Sequence, residues 1–201
     1  MANNILKKWK GKKLIDKIGD ILFVAFLVAM IIPSSRMAIT VAVKRVFSFS
    51  PKEISQEERV SLVSGQYDWL MEDERGNVIN LSEYSGKTLF INIWATWCPP
   101  CVAEMPSIQK LYDIFEGDSS VAFIIISNED RGTVEAFMDR EGYTFPYMLA
   151  RSNPPEPFAS PSIPTTFLVS PSGEIVLREV GSKKWHGEDT VELISNLSRR
   201  P

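Results

Sequence analysis

The passage that most limits how this chain can fold runs from Thr88 to Phe115, where a strand-like stretch feeds a Cys-x-x-Cys pair and then an amphipathic helix. Residues 88–95 (TLFINIWA) are rich in β-formers and read as a buried strand. The chain continues as Trp97-Cys98-Pro99-Pro100-Cys101. Beyond it Val102, Met105, Ile108, Leu111 and Phe115 recur at spacings of three and four, the core face of a helix. Cys98 therefore falls at the helix start. Pro99 and Pro100 take first-turn positions, where a missing N–H costs little.

That placement has a chemical consequence. Unpaired N–H groups and the positive end of the helix dipole favour an anion. A thiolate at Cys98 is stabilised, which makes Cys98 the attacking sulfur. Cys101 lies one turn further in, is the more buried of the two, and suits the thiol that resolves a mixed disulfide. Two other readings of the pair are weak. Structural zinc wants four ligands, and this chain has two cysteines and one histidine, His186. No metal is expected. An inert structural bridge between residues three apart would restrict the unfolded chain very little.

The formal net charge of the 201 residues is −3, so no basic surplus points to nucleic acid. The lysines gather instead at the start, at positions 7, 8, 10, 12, 13 and 17. The apolar run at 21–32 (ILFVAFLVAMII) follows them, short of the roughly 20 residues a spanning helix needs. Leu14, Ile15 and Ile18 extend it upstream and residues 37–43 downstream. A signal-anchor helix with a cytoplasmic N-terminus fits best. A cleaved signal peptide and a buried helix of the soluble domain are the alternatives. The chain divides into residues 1–45 (basic start and transmembrane segment), 46–66 (a linker with Pro51, serines and a charge cluster) and 67–201 (the globular domain).

Within that domain, residues 67–71 and 78–81 flank the turn Arg75-Gly76-Asn77 and read as a hairpin. Residues 121–127 form a second buried strand. Residues 133–141 form a helix stopped by Gly142. Strands at 165–170 and 174–180 meet at Pro171-Ser172-Gly173, and residues 188–197 form a closing helix. The stretch 151–164 carries five prolines and reads as a loop. After the hairpin the order is β-α-β-α-β-β-α. It predicts an α/β fold, a central mixed sheet flanked by helices.

The stretch FINIWATWCPPCVAEMP resembles the TlpA/ResA/CcmG-type thioredoxin-like proteins, thiol–disulfide oxidoreductases that are extracytoplasmic and usually membrane-tethered. The likeness covers roughly residues 65–198. Gly76-Asn77-Val78, Ser85-Gly86-Lys87 and Ile163-Pro164-Thr165-Thr166-Phe167 carry it further. It implies a thioredoxin-like fold with an N-terminal hairpin extension. It also implies a redox-active Cys98–Cys101 disulfide that needs no other cofactor. Partners would be extracytoplasmic protein thiols and disulfides, some in cytochrome c maturation, and a membrane electron donor of the DsbD/CcdA type. The location would be the cell inner membrane, single-pass, with the thioredoxin-like domain outside the cytoplasm.

The same resemblance assigns residues. Pro164 matches the cis-proline that faces the Cys pair. Glu104 matches a glutamate behind it; three residues after Cys101 it shares that helix face, so partial desolvation should raise its pKa and suit it to exchange the Cys101 proton. Asn92 stands where thioredoxin has a buried Asp, which puts an Asp relay in doubt and shifts weight to Glu104. Trp97, Pro99, Pro100 and Ile163 border the substrate groove. Two rival functions are a thiol peroxidase of the related peroxiredoxin branch and a non-catalytic binding module. Ser85-Gly86-Lys87-Thr88 is not a P-loop, since Leu81 replaces the needed glycine and a strand follows. His186, in a loop before the last helix, reads as a solvated or packed side chain.

Overall fold

The computed structural model describes residues 13–31, 33–46 and 51–199. The chain separates into two units, Met1–Thr40 and Val41–Pro201. Helix α1 spans Leu14–Ile31 and α2 spans Pro33–Val46. Among the described residues no helix is long and apolar enough to cross a membrane. Asp16, Lys17 and Asp20 fall inside the 18 residues of α1, ahead of its apolar part. Lys7, Lys8, Lys10, Lys12 and Ile32, which the anchor reading uses, lie outside the described residues.

The described strands are β1 (Val60–Ser61), β2 (Leu70–Asp73), β3 (Val78–Asn80), β4 (Thr88–Trp94), β5 (Val121–Ser127), β6 (Tyr147–Ala150), β7 (Thr165–Val169) and β8 (Glu174–Val180). They form one mixed sheet in the order β1-β8-β7-β4-β5-β6-β2-β3. Helices α3 (Pro99–Phe115) and α4 (Arg131–Glu141) are the crossovers of the parallel pairs β4/β5 and β5/β6, and α5 (Glu188–Ser198) follows β8. Both crossovers step the same way across the sheet. Right-handed connections then place both helices on one face.

The core follows that arrangement. Met105, Ile108 and Leu111 of α3, Val134 and Phe137 of α4, and Ile194 of α5 share a cluster with Phe90, Trp94, Phe123 and Ile125. Leu89, Ile91, Ile124 and Ile126 point the other way, to Trp69, Leu81 and Phe158. Strands β4 and β5 are buried on both faces, which is why their apolar residues run consecutively.

Strands β5 and β8 occupy the residues expected of them. Helix α4 starts two residues early because Asp130 caps it, accepting from Thr133 N at 3.0 Å and Thr133 Oγ1 at 2.6 Å. It ends on Gly142 at φ 70°, as the sequence suggested. Two expectations need correction. Part of the 46–66 linker belongs to the sheet: β1 pairs with β8, Ile54 N donates to Val176 O (2.9 Å) and Leu62 N to Gly173 O (2.8 Å). The outer edge of β8 offers unpaired backbone groups, and this segment takes them. The second is the hairpin, whose first strand begins at Leu70 because Tyr67 closes a 3₁₀ turn.

Strand β6 had no signal of its own, being four residues held between β5 and β2. The proline-rich stretch 151–164 lacks strands, but it is not merely a surface loop. Its 3₁₀ turn, Glu156–Phe158, drives Phe158 to 0% exposure. There the ring stacks on Trp69 at 5.7 Å and meets Phe167 edge-on at 5.3 Å. No helix from α3 to α5 contributes to this cluster, so the loop supplies the cover. Phe158→Ala should destabilise the protein by about 3–5 kcal/mol in a denaturant titration. A loss below about 1 kcal/mol would show that the loop is not part of the core.

Candidate active site

Strand β4 ends at Trp94, and the turn 95–97 leads to Cys98 at the N-cap of α3. Cys98 plays the part usually taken by Ser or Asp. With φ −91° and ψ 105°, its sulfur accepts the Cys101 N–H at 3.3 Å. Pro99 and Pro100 have no N–H, so Cys101 supplies the first backbone donor of the helix. The two cysteines form a disulfide with their Cα atoms 5.2 Å apart. Cys98 is 4% exposed and Cys101 0%. The preceding turn is tied down by Glu129, whose carboxylate accepts from Thr96 N (2.7 Å) and Thr96 Oγ1 (2.6 Å).

The Ile163–Pro164 peptide bond is cis. The Ile163 carbonyl oxygen lies 3.8 Å from Cys98 Sγ, and the Pro164 carbonyl accepts from Gly181 N at 2.8 Å. A groove of about 390 Å³ opens beside the pair. Trp97, Ile163, Trp69 and Pro161 line it with serines and asparagines, and among the described residues no charged side chain lines it. Both tryptophans of the motif reach the groove, Trp97 at 65% exposure and Trp94 at 1% from the core side. Pro99 and Pro100 are half-buried at the helix start.

Behind the pair sits a buried polar cluster. Asn92, in the middle of β4, donates from Nδ2 to Glu104 Oε1 (2.8 Å) and to Thr166 Oγ1 (2.7 Å). Glu104 Oε2 accepts from Trp185 Nε1 (2.9 Å) and Lys183 N (3.1 Å). Glu104 is 1% exposed. Burial pushes its carboxyl up to about 7, against the lowering effect of the Trp185, Asn92 and Lys183 bonds. It lies one turn beyond Cys101 on the same helix. Among the described residues no group of His, Cys, Asp and Glu could hold a metal.

The structure thus gathers Cys98, Pro99, Pro100 and Cys101 at the start of α3 with the Ile163 carbonyl near Cys98, and Asn92 with Glu104 in the interior one turn further on; Trp97 and Ile163 line the groove, while Pro99 and Pro100 are not among its lining residues. Sequence reasoning missed Glu129, Lys183 and Trp185. Trp185 was legible only as an apolar residue before the last helix. Glu129 looked like any loop carboxylate, 33 residues from the turn it holds.

The redoxin family model matches residues 67–194. The thiol-disulfide oxidoreductase ResA of Halalkalibacterium halodurans is 36% identical over 129 residues, 63% of this chain and 73% of the relative. ResA of Geobacillus kaustophilus is 34% identical over 122 residues, 60% and 70% of the two chains. The crystal structure of StoA from Bacillus subtilis superposes with a TM-score of 0.51 at 26% identity, covering 65% of this chain and 96% of that one. Since the matched stretch runs from the hairpin through the Cys pair and the cis-proline into α5, the chain belongs to the redoxin family, among its TlpA/ResA-type thiol–disulfide oxidoreductases.

Proposed function

We propose that this oxidoreductase reduces or exchanges disulfides of extracytoplasmic proteins, with Cys98 as nucleophile and Cys101 as resolving thiol. The observation that carries the reading is the Cys98 sulfur at a helix N-cap, beside an uncharged groove under the exposed Trp97. In the reduced enzyme the Cys98 thiolate attacks one sulfur of a client disulfide. That S–S bond breaks, and the client's other sulfur leaves as a thiolate. Cys101 then gives up its proton and attacks Cys98 Sγ, breaking the mixed disulfide. The client keeps two electrons and takes up two protons; the enzyme is left with the Cys98–Cys101 disulfide. Glu104 accepts the Cys101 proton, a task suited to a group that titrates near neutrality. Pro164 and Ile163 hold the client against the pair.

Return to the dithiol needs an outside reductant, for which we infer a membrane donor of the DsbD/CcdA type. The apolar run at 21–32, after its lysines, supports a single-pass tether with a cytoplasmic N-terminus and an extracytoplasmic catalytic domain. The apolar side chains of α1 from Ile21 to Val28 that are described are largely exposed, which suits a lipid environment. Cys pairs of apocytochromes c are one client class consistent with the family.

The full chain should reduce insulin disulfides with dithiothreitol as donor. Cys98→Ser should abolish turnover, and Cys101→Ser should accumulate mixed disulfides through Cys98 that are visible on non-reducing gels. No turnover and no trapped adduct would leave a binding module instead, and peroxide consumption that survives Cys101→Ser would favour a thiol peroxidase. Glu104→Gln should slow turnover on the order of 10²-fold.

Glu104 also fixes a pH effect on stability. Its folded value of about 7 lies above the ordinary 4.5. The folded state therefore binds the proton more tightly than the unfolded chain. That contribution is complete below about 4.5 and is lost as pH rises through about 7. The oxidised protein should lose on the order of 3 kcal/mol across this window. Glu104→Gln should flatten the loss in urea titrations at pH 5 and pH 8; an unchanged slope would mean that Glu104 does not titrate there.

A further inference from the structure

The Glu104 carboxylate is gripped by a segment that has no regular structure to hold it in place. Residues 181–187, between β8 and α5, lie across α3 and deliver Lys183 N and Trp185 Nε1 to Glu104 Oε2, at 3.1 and 2.9 Å. The segment is pinned at its start by Gly181 N on the Pro164 carbonyl, 2.8 Å away. Further along, the Trp185 ring is buried edge-on against Phe90 at 5.1 Å, and one hydroxyl holds the backbone on either side of it. Ser107 Oγ accepts from Trp185 N at 2.5 Å and from His186 N at 3.3 Å. Ser107 is three residues beyond Glu104, on the same face of α3.

A serine hydroxyl has two lone pairs and one proton. With both lone pairs engaged by backbone N–H groups, the proton is left for His186 Nδ1, 2.9 Å away. This requires a neutral imidazole that carries its hydrogen on Nε2. Burial, with Lys110 on α3 and Lys184 in the segment itself, holds His186 below its ordinary value and keeps Nδ1 an acceptor. The histidine that the sequence left without a task thus completes a latch.

We propose that Ser107 and His186 are positioning residues for the redox reaction, latching segment 181–187 onto α3 so that its two N–H donors support the Glu104 carboxylate that takes the Cys101 proton. The proposal rests on the reading that Glu104 takes the Cys101 proton. The groups that meet that carboxyl are Asn92 from β4 and Lys183 and Trp185 from the segment, and Cys101 lies one turn before it on its own helix. The Lys183 ammonium is turned to Glu179 Oε2 at 2.9 Å, so its backbone N–H is what reaches Glu104. These donors pull Glu104 down against burial. A loosened segment gives the carboxylate less support, and its proton is held to higher pH.

The test is the titration of Glu104 in the full-length oxidised protein, followed by side-chain carboxyl carbon NMR, together with the pH–rate profile of insulin reduction. Partial loss of a charge-assisted hydrogen bond should raise the Glu104 midpoint by about one pH unit in Ser107→Ala. The rising limb of the rate profile should shift with it while far-UV circular dichroism is unchanged. Ser107→Thr, which keeps the hydroxyl, should restore the midpoint. His186→Ala should give a smaller shift of the same sign, because Ser107 retains its lone pairs. A folded Ser107→Ala protein with an unmoved midpoint would overturn the latch, and if that variant fails to fold, an unmoved midpoint in His186→Ala does so. The underlying reading fails separately: wild type and Glu104→Gln would share one pH–rate profile, whatever the NMR midpoints did.

Discussion

Strand β4 is buried on both faces, and the placement of every group in the site follows from that. It pairs in parallel with β5 over its whole length and antiparallel with β7 from Leu89 to Ile93. Such a strand cannot shift register by one residue without exchanging the contents of the two cores. Phe90, Asn92 and Trp94 must face the helices, and Leu89, Ile91 and Ile93 must face the loop side. Its end is therefore a fixed point from which the turn 95–97 and Cys98 are projected. The Glu129 carboxylate on Thr96 removes the remaining freedom of that turn. The Cys98 sulfur consequently meets both the Cys101 N–H and the Ile163 carbonyl without help from a ligand.

The same constraint brings a cost. Asn92 is a polar side chain on an apolar face, and β4 cannot turn it away. Its amide hydrogens are taken by Glu104 and Thr166, while Oδ1 has no hydrogen-bond partner among the described residues. Glu104 is in turn an acid inside a core. Buried ionisable groups normally appear only where they are paired or functional. Here the pairing is made of neutral donors, so the carboxylate is solvated by the protein without a salt bridge. Neutral donors offset desolvation only in part, and the carboxyl remains poised near neutrality.

How much of this could be read from the sequence depended on how local the cause was. Cys98 at a helix start follows from a strand, two prolines and a 3.6-residue apolar period, all within one window. Strand β5 is a run dominated by Val, Phe and Ile, and Gly142 announces the end of α4 by its conformational freedom. The burial of Glu104 was legible because its helix face was. Strand β6 was not: Tyr147–Ala150 shows no alternation and is a strand only because β5 and β2 flank it. Phe158 was hidden by five surrounding prolines, since its stacking partner Trp69 is distant in sequence. The contacts of Ser107 with Trp185 and His186 span almost eighty residues and leave no local pattern.

Two negative charges cannot be held cheaply in so small a dry volume. The helix start supports one, at Cys98, through the Cys101 N–H and the dipole. Glu104, deeper on the same helix, is the other candidate. In the disulfide state the sulfurs carry no charge, and Glu104 ionises against burial with only its neutral donors to help it. Reduction to a Cys98 thiolate adds a like charge to the low-dielectric region and raises the cost of the carboxylate further. While Cys98 is a thiolate, the Glu104 carboxylate that is to take the Cys101 proton is thereby made more basic. Among the described residues no charged side chain lines the groove beside Trp97 and Ile163, so the surface proposed for the client adds no further charge to this balance.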